Sequence, residues 1–526
     1  MGGISKLPAH LRLPTQVEDA ENAQFTAAWG ISKRPGTRFM TNVGTTRLYF
    51  ASIIGTMAVG DTLTQGGATG VILTKQTSGA KVWVTLQQTA GTFATTATAT
   101  TGPTGSGNAT SASQWAAGDA LRLYPFAFSK DEKYLAIMSA SGIPRVFPIS
   151  TTGSEAGITF SAAAKTYVAS GTPLAHDYRF ASKEFFLLIA NSKMRISGSN
   201  TGGTLLATSM PHNLARTGTS PLEFTMAVTI WSDRFSGDSA ADSPLPNVFF
   251  DNSSGGGNVT TSYYIDDMII FRGRLFLGCG TAGIFSQAGT FYNFWLANGP
   301  TVIDSDPIQI NMPGKTTHTV DRVIGMHKSL VIFTKTGRQF EFSTPETLTP
   351  GTGAFTESTA YTIRPGVAPC ILGNRIVFAS SKRTSGIIYQ YPYDDAQVAK
   401  AADDVSSHVE GLLPTDIFRV ATSPNDGMTF ALGTTDPDTL FVHREEWVGG
   451  NRVQSAWTRW TFPAVSRICD IAVVDSVLYM LCETTTSGQF VLESMKLGSL
   501  NATATQTIDE GAAYSNAADV TDYASE

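Results

Sequence analysis

Leu330-Val-Ile-Phe-Thr-Lys-Thr-Gly-Arg-Gln-Phe-Glu-Phe342 is the clearest copy of the pattern that decides the fold. A short apolar run leads into a polar turn that contains glycine, and a second apolar run follows, which predicts an antiparallel β-hairpin. About seven copies of this pattern occur along the chain, mostly separated by roughly 45–60 residues. The other copies are Leu135–Phe147, Phe186–Ile196, Leu275–Phe285, Ile376–Tyr389, Phe430–Val442 and Leu478–Leu492.

Several copies follow a further short apolar run, such as Tyr264–Phe271, Val323–Met326 or Ile468–Val474. Three or four antiparallel strands per repeat are therefore expected, and this spacing is typical of the blades of a β-propeller. A single blade cannot bury both of its faces, so neighbouring repeats have to stack. The fold class that we predict is mainly β, with a propeller-like body of repeated hairpins and few short helices. Two sandwiches built from unrelated meanders are the alternative.

The composition agrees with a large β protein. The chain has 526 residues, of which 42% are hydrophobic and only 15% charged, and it contains 50 glycines. This length predicts about two to four domains, and the excess of small polar residues favours strands and turns over charged helices. The net charge of −6 argues against a nucleic-acid binder but suits a wall that lets DNA pass without sticking.

The segment 51–117 breaks the hairpin pattern and is expected to be a small inserted β-domain. Alternation within residues 58–86 predicts strands, whereas the Thr/Ala/Gly tract that follows predicts an exposed loop. Two short helices are expected, at Thr15–Ala28 and Asp394–Asp404. The predicted division is an N-terminal segment 1–50, the insertion 51–117, first repeats 118–200, a connecting segment 201–260, remaining repeats 261–500 and a flexible acidic tail 501–526.

The cysteines and the N-terminus indicate where the protein folds. The four cysteines lie far apart in apolar runs, which favours buried free thiols and a reducing cytoplasm. Met1–Lys6 is not followed by the apolar stretch of a signal peptide, and no apolar run reaches membrane-spanning length. We therefore expect no membrane anchor. The cysteines are Cys279, Cys370, Cys469 and Cys482.

No arrangement of residues predicts catalysis, a metal site or a cofactor. The seven histidines lack metal-ligand spacing. Adjacent acids such as Asp266-Asp267 point to opposite faces of a strand and cannot form a glycosidase pair. His443-Arg-Glu-Glu446 is expected to be a solvated strand end. Lys33-Arg-Pro-Gly-Thr-Arg38 is the densest basic cluster, and a solvated bend and a subunit contact both remain open.

An ordered series of motifs resembles a known family. Gly2-Gly-Ile-Ser-Lys-Leu-Pro8, Glu21-Asn22 and Lys33-Arg-Pro-Gly36 are similar to the opening of podovirus tail tubular protein B, the tail nozzle family. The segment near 51–114 lies outside the pattern of that family, and the chain is short at 196–210, where some relatives carry a projecting fin. Further matches are Met210–Leu214, Tyr264–Leu275, Phe291–Phe294, Asp304–Ile308, Asp404–Val409 and Ser455–Trp460.

The resemblance implies a structural role in the virion tail, after assembly in the cytoplasm of the host bacterium. It implies a hexameric ring below an adaptor (gatekeeper) ring, with tail fibres or spikes attached at the junction. The ring would be the distal tube that conducts and gates double-stranded DNA during ejection. A propeller-type tail adhesin or depolymerase acting on cell-surface polysaccharide is the alternative. The candidate subunit or adaptor contacts are Lys33, Arg34, Arg38, Arg272, Arg274, Asp304, Asp306 and His408.

Overall fold

The computed structural model is mainly β, which confirms the predicted class. It describes residues 3–12, 16–27, 30–94, 99–149, 155–183, 185–201, 204–206, 209–227, 257–294, 302–314, 316–326, 329–343, 347–381, 384–392, 401–485 and 489–497. Within these ranges, the one α-helix is α1 (Ala162–Ala169), whose first turn is capped because the Ser161 hydroxyl accepts a hydrogen bond from the Ala164 N–H. Short 3-10 turns occur at Ala9–Leu11, Ala175–Asp177 and Ser407–Val409.

The N-terminal segment consists of short strands and contains no α-helix among its described residues. These strands are β1 (Gly3–Ile4), β2 (Gln16–Val17), β3 (Ala23–Thr26), β4 (Gly30–Lys33) and β5 (Arg38–Asn42).

The helix predicted at Thr15–Ala28 is therefore wrong. Asn22 takes a left-handed conformation (φ 52°) that interrupts any helix. The Phe25 carbonyl accepts a hydrogen bond from the Gln454 side chain, so a distant part of the chain stabilises the extended form. The helix predicted at Asp394–Asp404 lies largely outside the described residues, and its last two residues form a strand.

A closed barrel of six strands follows: β6 (Thr46–Gly55), β7 (Thr62–Gln65), β8 (Ala68–Ser78), β9 (Lys81–Ala90), β10 (Ala99–Thr101) and β11 (Gly105–Gln114). Their order around the barrel is β10-β11-β6-β9-β8-β7. Apolar side chains such as Leu48, Phe50, Ile72 and Leu86 fill its interior. The loop expected after residue 86 is wrong in part, because β10 and β11 close the barrel by backbone pairing that requires no large side chains.

Two sheets form the first part of the body, and a small separate sheet branches from the second. The first sheet contains β12 (Arg122–Ala127), β13 (Lys133–Met138) and β14 (Arg145–Pro148). The second contains β15 (Gly157–Phe160), β16 (Tyr178–Lys183), β17 (Phe186–Asn191), β20 (His212–Thr219) and β21 (Leu222–Ala227). The separate sheet contains β18 (Arg195–Thr201), β19 (Thr204–Leu206) and β22 (Gly257–Tyr264).

Five four-stranded sheets complete the body. The third contains β23 (Asp267–Phe271), β24 (Arg274–Cys279), β25 (Ala282–Phe285) and β26 (Ile308–Asn311). The fourth contains β27 (Val320–Met326), β28 (Ser329–Thr334), β29 (Gln339–Ser343) and β30 (Phe355–Thr359). The fifth contains β31 (Cys370–Leu372), β32 (Arg375–Ser381), β33 (Gly386–Pro392) and β34 (Asp403–Asp404). The sixth contains β35 (Ile417–Ser423), β36 (Met428–Gly433), β37 (Thr439–Val448) and β38 (Asn451–Thr461). The seventh contains β39 (Val465–Val474), β40 (Val477–Thr484) and β41 (Phe490–Lys496), and β5 joins it as the outer strand.

Six of the predicted hairpins are confirmed as antiparallel pairs: β13–β14, β24–β25, β28–β29, β32–β33, β36–β37 and β40–β41. The copy at Phe186–Ile196 is wrong, because β17 pairs with β16 and β20. The strand that follows β17 is β18, which leaves for the separate sheet and pairs with β19 and β22. The excursion of the chain through β18 and β19 therefore separates β17 from β20 in sequence, although these two strands pair.

The seven sheets pack in a closed order. Buried apolar clusters lie between each sheet and the next, and one cluster joins the seventh sheet to the first through residues such as Leu492 and Leu135. The N-terminal strand β5 pairs with the C-terminal strand β41, so the two ends of the body close the ring together. We interpret this ring as a seven-bladed, propeller-like body, because its sheets stack in sequence around an axis.

Candidate functional site: motif contacts and the axial cavity

Motifs that are far apart in the sequence meet beside β38. Gly3 has φ 63°, and a Cβ on it would lie 2.6 Å from the Ala456 Cα, so the close backbone approach requires glycine. The Trp457 indole donates to the Val405 carbonyl at 2.8 Å. The Lys6 N–H donates to the His408 carbonyl at 3.0 Å. The N-terminal motif, the motif at 404–409 and the motif at 455–460 thus form one packed contact.

Arg34, which belongs to the basic cluster Lys33–Arg38, contacts the same region beside β38. It is 3% exposed, and its Nε donates to the Asn22 Oδ1 at 2.9 Å. Its Nη2 donates to the Thr461 carbonyl at 3.3 Å, and the guanidinium lies 4.4 Å from the centre of the Phe462 ring. Arg34 therefore holds the chain's own N-terminal segment in place, whereas Lys33 and Arg38 are exposed and accessible to another molecule.

Arg274 connects two more motifs. Its guanidinium donates to the carbonyls of Asp304 and Asp306, at 2.7 Å each, and is buried. The Asp306 carboxylate accepts from the Ile303 N–H at 2.9 Å and is fully buried, while Asp304 is exposed. Arg272 is half-buried with φ 48°. Arg274 and Asp306 therefore hold the loop that precedes β26 in place within their own chain. The Asp304 side chain faces outward.

The expected solvated strand end at His443–Glu446 is wrong for two of its residues. His443 and Glu445 lie on one face of β37, and both are buried. The His443 Nε2 lies 2.9 Å from the Ser455 hydroxyl. Glu445 accepts hydrogen bonds from Arg375 at 3.1 Å and from Gln390 at 3.0 Å. This face packs against the fifth sheet through Arg375 of β32 and Gln390 of β33, which the local sequence could not indicate.

The buried His443 predicts a loss of stability in acid. Burial, and then the charges of His408 and Arg452, lower the pKa of His443 to about 3. The unfolded chain takes up this proton below about pH 6.5, whereas the folded chain resists it down to about pH 3, so the free energy of unfolding falls across that window. We expect His443→Gln to remove roughly 1 kcal/mol of the decrease between pH 6.5 and pH 5.5. Urea unfolding at both pH values measures this difference.

The control for this prediction is His10→Gln, because His10 is exposed. This variant should retain the wild-type pH dependence. An equal pH dependence in His443→Gln and in the wild type would show that His443 does not resist protonation.

An axial cavity of about 310 Å³ lies where the first strands of the sheets converge. Its lining includes four arginines that the sequence analysis did not single out, and one carboxylate, Asp267. Three of these arginines lie on the first strands of their sheets, and the one from the second sheet lies on β16. This recurrence in the sequence could have indicated a shared site. The arginines are Arg122, Arg179, Arg322 and Arg419.

Buried aspartates join neighbouring sheets around this cavity. The Asp470 carboxylate accepts from the Leu123 N–H at 2.6 Å and from the Arg419 Nε at 3.0 Å. The Asp267 carboxylate accepts from the Val323 N–H at 2.7 Å, which links the third sheet to the fourth. Burial raises the pKa of Asp267, and the charges of Arg322 and Arg179 only partly oppose this. These buried hydrogen bonds around the cavity therefore help to hold neighbouring sheets together.

Neither a metal site nor a membrane helix is found in the part of the chain that the structure describes. There, no group of three or more His, Cys, Asp or Glu residues is placed to hold a metal ion. The described helices have at most eight residues, which is too short to cross a membrane. The four cysteines form no disulfide; Cys279, Cys469 and Cys482 are buried, and Cys370 is partly exposed.

Comparison with known proteins gives a family match over most of the chain. The model of the family described as bacteriophage nozzle protein matches residues 1–98 and 195–523. The match includes residues 51–98, so this part of the segment expected outside the family pattern lies within it.

One similar relative is tail tubular protein gp12 of Escherichia phage T7, which is 25% identical over 285 residues. The alignment covers 54% of this chain and 34% of that protein, so the chain spans about a third of the length of this relative. Among solved structures, the WD40 domain of Toxoplasma gondii coronin is similar over 73% of this chain and 85% of that chain, with 10% identity. Its TM-score of 0.38 is too low to establish a common fold.

Proposed function

The chain belongs to the bacteriophage nozzle protein family and is a structural subunit of the phage tail, and we propose that copies of it form the distal tube that conducts DNA. The tube would gate the DNA before ejection. The resemblance found in the sequence suggests six copies per ring, an adaptor ring above, and fibres or spikes at the junction. No catalytic activity is part of this proposal.

The size of the axial cavity carries the argument that the conduit is built from several chains. A cavity of about 310 Å³ is of the size that holds a small molecule, whereas the major groove of a DNA duplex alone is about 12 Å wide. The cavity walls are also joined by buried hydrogen bonds, such as the one between Leu123 and Asp470. A duplex therefore has to pass between copies of the chain.

The tip of the β37–β38 hairpin, residues 447–453, is proposed as one contact between copies. Trp447, Val448 and Val453 are 41%, 59% and 44% exposed. The Arg375 guanidinium lies 3.8 Å from the centre of the Trp447 ring, so the tip is held in place before any partner binds. A preorganised apolar tip suits an interface because little side-chain freedom is lost on contact.

The double variant Val448→Asn, Val453→Asn tests this contact. Burying a valine stabilises an interface by about 1.5–3 kcal/mol, so the variant should associate at least roughly tenfold more weakly. Sedimentation velocity over a range of protein concentrations measures the association. The control is Val59→Asn, which changes an exposed valine of the barrel (63% exposed).

The tip contact is contradicted if the double variant and the wild type associate equally. Circular dichroism of the variant must remain that of the wild type, because the substitutions lie at an exposed turn.

The depolymerase alternative requires two facing carboxylates in a cleft. Of the described acids, only Asp267 lines the axial cavity. Incubation of the purified protein with host surface polysaccharide should release no oligosaccharide, and gold-labelled antibody should bind the distal end of the virion tail. Polysaccharide cleavage, or label confined to fibres, would favour the adhesin or depolymerase.

A further inference from the structure

The axial cavity concentrates positive charge that the packing of the ring does not explain. The guanidinium groups of Arg122, Arg179, Arg322 and Arg419 come from four different sheets and line one space of about 310 Å³. A structural role for all four would predict that each is matched by a carboxylate. The four arginines are not all matched in this way, because Arg322 donates only to backbone carbonyls.

Counting the nearest acids gives an excess of positive charge. Asp470 lies 3.0 Å from Arg419 and 3.8 Å from Arg122, and Asp267 lies 3.8 Å from Arg179. With Asp321, whose charge also acts on Arg179, three carboxylates lie near the four guanidinium groups, which leaves an excess of one positive charge. The next acids, Asp177 and Asp266, are each engaged by a lysine, at 3.5 Å and 2.7 Å.

Arg322 has donor capacity that the protein does not use. It is 4% exposed, and it donates only to the backbone carbonyls of Gly366, at 2.8 Å, and Asp321, at 3.3 Å. Its buried Nε has no hydrogen-bond partner; the Arg122 Nη1 has none either, and its ion-pair partner Asp470 lies 3.8 Å away. Buried guanidinium donors are usually satisfied, so these two donors indicate room for an acceptor at the cavity. The Oδ2 of the buried Asp321 also lacks a hydrogen-bond partner and therefore does not satisfy them.

The electrostatics of the neighbouring groups agree with this arrangement. The pKa of Arg179 is lowered to about 10, first by burial and then by the charge of Arg322. The pKa of Arg122 is also lowered by burial, which the charge of Asp470 opposes and those of Arg419 and Arg322 reinforce. An anion between these groups would relieve the repulsion.

We propose that the axial cavity binds a small phosphate-bearing anion through Arg322 and Arg122. Planar guanidinium groups match the oxygens of phosphate in a bidentate manner. The volume suits a phosphate or a small phosphate ester and excludes duplex DNA. The cavity is partly open to solvent at His176 in its lining, whose side chain is 39% exposed. This site is independent of the tube function.

Isothermal titration of the purified, assembled protein with inorganic phosphate, in a buffer without other oxyanions, tests the proposal. We expect saturable binding to the wild type, and at least a tenfold loss of affinity in both Arg322→Gln and Arg122→Gln. Arg338→Gln is the matched control, because Arg338 is exposed and pairs with Glu357 on the surface. It should bind phosphate as the wild type does.

Thermal unfolding with and without phosphate provides the second measurement. Phosphate should raise the unfolding midpoint of the wild type and of Arg338→Gln, and leave that of Arg322→Gln unchanged. If Arg322→Gln does not fold, Arg122→Gln decides the question. The proposal is overturned if the wild type shows no saturable binding at millimolar phosphate, or if the cavity variants that fold bind phosphate as tightly as Arg338→Gln.

Discussion

Trp457→Ala is expected to lower the free energy of unfolding by about 3–5 kcal/mol. Trp457 is fully buried and packs between the N-terminal segment and the fifth and sixth sheets. Its indole N–H donates to the Val405 carbonyl. Truncation would leave a large cavity and a buried carbonyl without its donor, and both are costly. Urea-induced unfolding monitored by circular dichroism measures the change.

Trp447→Ala is the matched control, since the same side chain is removed from an exposed site. Trp447 is 41% exposed and contacts Arg375, so its loss should cost no more than about 1 kcal/mol. If the two variants were equally stable, the packing around β38 would not be what joins the N-terminal motifs to the body.

Glu155→Ala is expected to destabilise the protein by about 3–5 kcal/mol, because it leaves two buried cations without their anion. Both carboxylate oxygens of Glu155 accept from Arg145 at 2.7 Å, and Arg47 of the barrel lies 3.6 Å away. All three residues are buried where the barrel meets the first two sheets. The control, Glu357→Ala, removes an exposed pair with Arg338 and should cost about 0–1 kcal/mol.

Glu155 should also contribute to acid sensitivity. Burial raises its pKa, but the charges of Arg145 and then Arg47 outweigh this effect and leave the pKa below its usual value. The stabilisation is present above the unfolded pKa of about 4.3, and it is lost as the pH falls through the folded pKa. The wild type should lose part of its advantage over Glu155→Ala in that range, and a constant difference would contradict the assignment.

The sequence predicted local pairing well and long-range pairing poorly. Six hairpins were predictable because both strands and their turn lie within one short stretch, where alternation and turn residues are visible. The pairing of β17 with β20 was not, since an excursion separates the two strands. The predicted N-terminal helix failed because β3 is stabilised by contacts with β38, more than 400 residues away.

The candidate contacts were predicted from motifs, and the structure shows what several of these motifs hold together. Arg34 and Arg274 bind groups of their own chain, and they connect motifs that are remote in sequence. Lys33, Arg38 and Asp304 are exposed and remain predictions as subunit contacts. The burial of His443 depends on how the sheets stack, which no local pattern encodes, whereas the axial arginines recur on the first strands of several sheets and could have been noticed in the sequence.

The central claim is that the DNA conduit is formed between copies of this chain. Electron cryo-microscopy of the purified protein, with its mass in solution from light scattering, tests this claim most directly. We expect a closed ring, of six copies if the family resemblance holds in detail, with a central opening wide enough for a duplex and each propeller-like body in its wall. A protein that stays monomeric at high concentration, or a ring whose opening cannot admit a duplex, would contradict the account.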